Sequence, residues 1–237
     1  KLEIDMDDWF EFRPNDEYST REISEEIFKN HIYEKHYAVK EGDVVLDIGA
    51  NVGAFTYSIL HKNPSRVVAV EPSNAMFASL EHNCGRHPAV RLECAAIDDF
   101  TMNSIDIPKK AFIFWNQGGK YNTITFERLL YNHNITHVDL MKFDCEGGEF
   151  SIFTEENREF IQKNIKNLAG EWHFSEMENA AERFFTFRDR FLKGHEHHVY
   201  ERDGKEVTGW IFDDIYIRGF MKWFNQHNAQ LLVYLRN

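Results

Sequence analysis

The apolar run Val44-Val-Leu-Asp-Ile48 leads directly into Gly49-Ala-Asn51-Val-Gly53, after which residues 54–61 resume a helix-spaced pattern. A strand that ends in a glycine-containing turn and continues as a helix is the opening of a β–α unit, and it commits the chain to a parallel sheet. Asn63-Pro64-Ser65 stops that helix, and Val67–Val70 form a second apolar strand closing on Glu71. Beyond it the pattern predicts a helix over 73–83 with Ser73 as N-cap, a strand over 90–97 and a buried strand over 137–143. A helix from Glu149, a strand over 167–172 and a long helix over 178–192 follow, then strands around 198–202 and 230–235 flanking a helix-like stretch over 214–226. Upstream, Ile23, Ile27, Ile32 and Tyr33 recur among charges and predict a helix over 22–40.

Strands alternating with helices imply an α/β fold: a Rossmann-like, doubly wound, mostly parallel sheet with an antiparallel C-terminal edge. No repeat or Pro/Gly/Ser linker divides the 237 residues, a length suited to one sizeable core. The organisation expected is an N-terminal helical extension on the acceptor side over 1–40 and a main domain over 41–237. In open α/β sheets the ligand lies beyond the carboxyl ends of the strands, which singles out the residues following each strand.

Three constellations stand there. In the first, Gly49 permits a sharp turn, and the absent side chains of Gly49 and Gly53 permit close backbone approach to a ligand. N–H groups at the helix start favour an anion such as an amino-acid carboxylate, Asp47 is placed to attract the matching ammonium, and Glu71 can accept hydrogen bonds from a ribose diol. A nicotinamide fingerprint would need Gly where Asn51 stands, and no G-K-[ST] completes a P-loop. The second is Lys142-Phe-Asp144-Cys-Glu146-Gly147-Gly-Glu149. Three carboxylates at one strand end are costly unless they face solvent, cations or donors. Asp144 is best placed for chemistry, while Glu146 and Glu149 read equally as turn and helix-start residues. The third is Gly170-Glu171-Trp172-His173, where alternation puts Glu171 and His173 on one face and Trp172 in the core.

Taken in order, VVLDIGANVGAFT, VVAVEPS, AAID and VDLMKFDCEGGEF resemble the FkbM-type methyltransferases, from about Gly42 to Phe174. The D-x-G-A-N-x-G loop is common to many methyltransferases, whereas K-x-D-x-E-G-x-E is more specific to this family. The resemblance implies a class I, seven-stranded Rossmann-like sheet, S-adenosylmethionine as methyl donor and O-methylation of sugars or polyketide-like hydroxyls. It places Asp47, Gly49, Ala50, Asn51 and Gly53 around the methionine part. Glu71 would hold the ribose with Pro72 and Ser73 beside it, Ala96, Ile97 and Asp98 would border the adenine, and Asp144 would lie between donor and acceptor.

The reaction expected is an in-line displacement in which an acceptor hydroxyl oxygen attacks the donor methyl group, with Asp144, Glu171 and His173 as catalytic candidates and His173 or Asp144 as base. Asp144 and Glu171 are hard oxygen donors that could hold Mg²⁺, but no metal ligand set is assigned from sequence. The competing readings are an N-methyltransferase, a nicotinamide-linked oxidoreductase and a non-catalytic cofactor-binding module. The first would commonly carry Asn/Asp-Pro-Pro-aromatic where Asp144-Cys-Glu146-Gly147 stands.

The net charge of −12 argues against a nucleic-acid partner, and the resemblance implies a small-molecule or glycan acceptor. Cys84, Cys94 and Cys145 make no C-x-x-C pair, no apolar run approaches the ~20 residues that cross a membrane, and KLEIDMDDWF does not read as a signal peptide. A cytoplasmic location is the default expectation. The 21 Phe predict a Phe-rich core, with Phe184, Phe185, Phe187 and Phe191 on one helix face. His195-Glu-His197-His198 reads as a surface loop, and Gln117-Gly118-Gly119-Lys120 as a loop able to fold over the acceptor.

Overall fold

The computed structural model describes residues 10–11, 23–98, 104–107, 119–174, 179–223 and 229–237. Its strands, in chain order, are β1 (Val44–Ile48), β2 (Arg66–Val70), β3 (Val90–Glu93), β4 (Ala96–Ile97), β5 (Ser104–Ile107), β6 (Gly119–Ile124), β7 (Val138–Phe143), β8 (Ile165–His173), β9 (Glu196–Glu201) and β10 (Gln230–Arg236). Seven of them form one sheet in the order β3-β2-β1-β7-β8-β10-β9, and β4-β6-β5 form a small second sheet. Neighbours from β3 through β8 run parallel, while β10 is antiparallel to both β8 and β9. This is a Rossmann-like, doubly wound parallel sheet whose order reverses between β1 and β7 and whose C-terminal pair is antiparallel, as the sequence predicts.

Alternation along the strands sends successive side chains to opposite faces, and each face has its own core. Leu46, Ile48, Val68, Val70, Met141, Phe143, Leu168 and Trp172 pack on one side with the helices Phe126–Asn132, Glu155–Asn164 and Ala180–Phe187. Trp172 stacks on Phe187 at 4.2 Å between centroids, and Phe153 meets Phe143, Phe187 and Phe191 edge-on. Among the described residues Phe126, Phe143, Phe153, Phe174, Phe184, Phe187, Phe191 and Phe220 are buried in this core, as expected, with Phe185 partly buried at its margin. On the other face Val45, Val67, Ala69, Leu140 and Ala169 lie under the helices Ala54–Leu60 and Asn74–Cys84 and under Ile27 and Tyr33 from the N-terminal segment.

The helix expected over 22–40 is corrected to a π-helical turn, Ser24–Lys29, and a single 3₁₀ turn, Ile32–Glu34. The break falls at His31, which is left-handed (φ 49°). Side chains then compete with helical backbone pairing. The Glu34 carboxylate accepts from the Val39 N–H at 2.7 Å and from Lys62 Nζ, and the Ile32 carbonyl accepts from the Tyr234 hydroxyl.

The strand expected over 90–97 is also split. β3 stays beside β2 only until Glu93 reaches Val70, where β2 ends, and β4 crosses to pair with β6. Gly119 and Lys120 open β6 rather than belonging to a loop, and Gln117 and Gly118 lie outside the described residues. The long helix expected over 178–192 is an α-helix, Ala180–Phe187, running into a π-helical turn, Arg188–Leu192. His197 and His198 belong to β9, not to a loop. Among the described residues no helix is long and apolar enough to cross a membrane.

The amino ends of the central strands are joined by Asp139. Its Oδ2 accepts from the Val44 N–H at 2.9 Å and its Oδ1 from Lys166 Nζ at 2.6 Å. Burial opposes the charge, but Lys166 and the Val44 N–H outweigh it and hold the carboxyl below its ordinary value. A folded-state pKa that is depressed adds stability above the unfolded value near 3.9, and that stability is lost as pH falls through the folded value. Asp139→Asn should therefore cost about 1 kcal/mol at neutral pH, limited by the solvent exposure of Lys166. In urea melts across acid pH, the gap between the two proteins should close below about pH 4.

Candidate active site

The loop after β1 is built on left-handed residues: Gly49 (φ 79°), Asn51 (φ 54°) and Gly53 (φ 87°). Asn tolerates this region better than most side-chain-bearing residues, which explains Asn51. Both glycines are required by the protein's own packing. A Cβ on Gly49 would lie 1.8 Å from the Asp144 carbonyl oxygen, and one on Gly53 would lie 2.8 Å from Leu80 and 3.0 Å from the Cys84 sulfur. The loop amides are similarly committed. Gly49 and Ala50 donate to the Val70 carbonyl, and Asn51 N–H donates to Glu71 Oε2 at 2.9 Å.

Glu71, nearly buried at 4% exposure, also accepts from the Ser73 N–H at 2.8 Å through Oε1. It therefore couples the turn after β2 to the turn after β1, and its carboxylate stands at the strand end where a ribose would lie. Pro72 and Ser73 follow directly, and Ser73 caps the helix Asn74–Cys84 by accepting from Met76 N–H. Ala96 and Ile97 form β4, and Asp98 extends that pairing by donating its N–H to the Ile124 carbonyl.

Asp47 sits differently from the expectation that it attracts a ligand's ammonium. It is fully buried, its Oδ2 accepts from Thr56 Oγ1 at 2.7 Å, and its Oδ1 lies 3.2 Å from Lys142 Nζ. Asp47 and Lys142 are cross-strand partners in the β1–β7 register. The cation is thus internal. Lys142 also donates to the Gly49 carbonyl at 2.6 Å and stands 4.0 Å from Asp144 Oδ2. Burial works against its charge, but Asp47 and Asp144 more than compensate and raise its pKa.

Beyond β7 and β8 the acids converge. Tyr33, from the N-terminal segment and 3% exposed, donates its hydroxyl to Asp144 Oδ2 at 2.9 Å and reaches Glu171 Oε1 at 3.3 Å. His173 is also buried. Its Nδ1 lies 2.9 Å from Glu149 Oε1, and its Nε2 lies 3.8 Å from Asp144, 3.8 Å from Glu146 and 3.6 Å from Glu171. Glu149 in turn accepts from the N–H groups of Cys145 and Gly147, so it orders the turn as well as the imidazole.

Burial alone would depress His173, but Glu146 and Glu149 drive its pKa well above the ordinary value. Burial raises Glu146 to about 7 against the pull of His173, with Asp144 and Glu171 adding to the rise. The Tyr33 phenol is likewise pushed well up by burial, then by Asp144 and Glu171. Cys145 packs against the core, and burial pushes its thiol well up, so it is no ready nucleophile. His198 pairs with Glu206 and stacks on His36, away from this cluster.

Of the residues singled out from sequence, Asp144, Glu171 and His173 are brought together, and Gly49 touches Asp144 directly. Sequence reasoning missed the part played by Tyr33, the internal role of Lys142 and the bond from Glu149 to His173. A lysine between Met141 and Phe143 in a fully buried strand was the available signal for Lys142. Nothing local in the sequence marks Tyr33.

The strand order and the loop–acid pairing after β1 and β2 define a Rossmann-like, doubly wound fold. A family model described as the methyltransferase FkbM domain matches residues 47–202, and the chain belongs to that family. Its similarity to curated proteins is partial. It is 39% identical over 77 residues to the 31-O-demethyl-FK506 methyltransferase FkbM of Streptomyces tacrolimicus, covering 31% of this chain and 30% of that protein. It is 36% identical over 88 residues to the AMB antimetabolite synthetase AmbE of Pseudomonas aeruginosa, covering 36% of this chain and 4% of that protein. The matched region thus spans less than a third of either relative.

Among solved structures, a fibrillarin/Nop5p complex matches with TM-score 0.49 and 13% identity over 87% of this chain and 78% of that chain. The precorrin-6y C5,15-methyltransferase of Geobacter metallireducens GS-15 matches with TM-score 0.45 and 11% identity over 84% and 82%.

The Lys142 pin gives a direct test. Lys142→Met keeps the length of the side chain but strands Asp47 as a buried, uncompensated charge, which should destabilise the fold by about 3–5 kcal/mol. Chemical denaturation should register that loss. A change below 1 kcal/mol would show that the ion pair does not organise the loop.

Proposed function

We propose that this chain transfers a methyl group from S-adenosylmethionine to a hydroxyl oxygen of a sugar-like or polyketide-like acceptor. Membership of the FkbM methyltransferase family supports the reaction class. The choice of oxygen rests on one observation: Asp144 Oδ2 and Glu171 Oε1 are spaced to accept from a single hydroxyl, as they do from Tyr33. Two carboxylates that can orient a hydroxyl and receive its proton suit an alcohol, a weak nucleophile that gains from general-base help.

The residues present fit the donor. Glu71 presents a buried carboxylate at the end of β2, braced by Asn51 and Ser73, where a ribose diol can be held. Gly49, Ala50, Asn51 and Gly53 would border the amino-acid part, with Ala96, Ile97 and Asp98 on the base side. Bound there, the donor supplies an already activated methyl group.

The chain's own part is then orientation and proton removal. Asp144 lies against Gly49 and belongs to the acid pair, joining the loop to the acids, so it is the proton acceptor in this reading. Glu171 shares the hydroxyl. His173 is the less available proton acceptor in the geometry described, because the acids around it favour the protonated ring.

Calorimetry with S-adenosylhomocysteine and with NAD, followed by methyl release against a panel of hydroxylated acceptors, tests the assignment. Binding of the former and not the latter is expected, and Asp144→Asn should slow turnover by about 10²–10⁴-fold with far less effect on donor affinity. A folded protein that gives no heat with either S-adenosylmethionine or S-adenosylhomocysteine removes the reading altogether.

A further inference from the structure

Four carboxylates, from Asp144, Glu146, Glu149 and Glu171, surround the imidazole of His173 on a largely buried surface. Such crowding of like charge is unfavourable unless cations offset it, and a single imidazole ring faces four carboxylates. The directions of the individual oxygens are informative. Asp144 gives Oδ2 to Tyr33 and leaves Oδ1 facing His173 Nε2, and Glu171 gives Oε1 to Tyr33 and leaves Oε2 facing the same nitrogen. Glu149 takes the opposite ring nitrogen, Nδ1, at 2.9 Å.

His173 is 8% exposed, yet its Nε2 lies 3.6–3.8 Å from three carboxylates and within hydrogen-bonding distance of none of them. That spacing is too long for hydrogen bonds but matches donors sharing an ion. Two ligand atoms at ~2.0–2.2 Å from one metal are roughly 3–4 Å apart.

We propose that Asp144, Glu146 and His173 form a binding site for a divalent transition-metal ion, with Glu149 orienting the imidazole and Glu171 at its edge. One ligand atom from each of the three residues lies within 4.8 Å of the others, so small side-chain movements bring them to bonding distance. The carboxylate–imidazole contact through Nδ1 is the arrangement that commonly fixes a metal-binding histidine through its second nitrogen. One nitrogen and two oxygens favour Mn²⁺, Fe²⁺ or Zn²⁺ over Mg²⁺, which prefers an all-oxygen octahedron. Three protein ligands leave room for a further oxygen. If the methyl-transfer reading holds, an acceptor hydroxyl could take that place and be made more acidic by the ion. That role rests on the proposed function, whereas the binding of the ion does not.

Titration of the purified, metal-stripped full chain with Mn²⁺, followed by loss of the free-ion paramagnetic resonance signal, tests the site directly. One Mn²⁺ per chain is expected, displaced by Zn²⁺ and not by equimolar Mg²⁺. Glu146→Gln and His173→Gln should each weaken binding by at least about tenfold, and Glu149→Gln by about 10–100-fold. Circular dichroism and thermal melting of each variant confirm the fold. His198→Ala, in the separate histidine tract on β9, should leave binding unchanged.

Absence of Mn²⁺ and Zn²⁺ binding by the unaltered chain overturns the proposal. So does equal affinity in folded Glu146→Gln and His173→Gln, or loss of binding only in His198→Ala. Calorimetric binding of S-adenosylhomocysteine by a chain that takes up no metal would sink the metal site alone.

Discussion

The buried ammonium of Lys142 is the contact on which the working end of the sheet depends. It bridges Asp47 on β1, the carbonyl of Gly49 and the vicinity of Asp144, and so ties two strands and their following loops together. A lone buried charge in this position would be prohibitive, and either partner is tolerable only because the other is present. The consequence is geometric. With Gly49 held by Lys142 and pressed against the Asp144 carbonyl, the loop that would carry the donor and the acid that would receive a proton share a fixed separation.

The same strands serve two purposes because side chains alternate. Trp172, between Glu171 and His173, points into the phenylalanine-rich core and stacks on Phe187, while its two neighbours join the acid cluster. Rigidity on one face therefore limits movement on the other. Close packing of large rings leaves β8 little freedom, and groups that must meet within a few tenths of an ångström gain from a strand whose far side cannot yield.

The β–α alternation made most of the fold legible: strands β1 and β2 announce themselves as apolar runs ended by turn residues, and the mostly apolar β7 stands beside them. The acid-and-histidine grouping was also legible, because Glu171 and His173 stand two apart on a strand and Asp144 closes another. What escaped was long-range. The break at His31 depends on Glu34, Ile32 and Tyr33 finding partners far along the chain, which no local periodicity reports. The departure of β4 from the main sheet depends on where β2 ends. Asp47 was read as facing a ligand because its motif position is suggestive, yet its true neighbour, Lys142, is set only by strand register.

Tyr33 carries a consequence for assembly. Its hydroxyl meets partners 111 and 138 positions later in the chain, so the acid pair is finished only by closing two very large loops. Contacts that distant repay their entropy late, after the strands bearing Asp144 and Glu171 are already side by side. During synthesis the tyrosine leaves the ribosome long before either acid exists. The tyrosine's contacts with the acid pair therefore require the strands bearing Asp144 and Glu171 to lie side by side, as they do in the β7–β8 register.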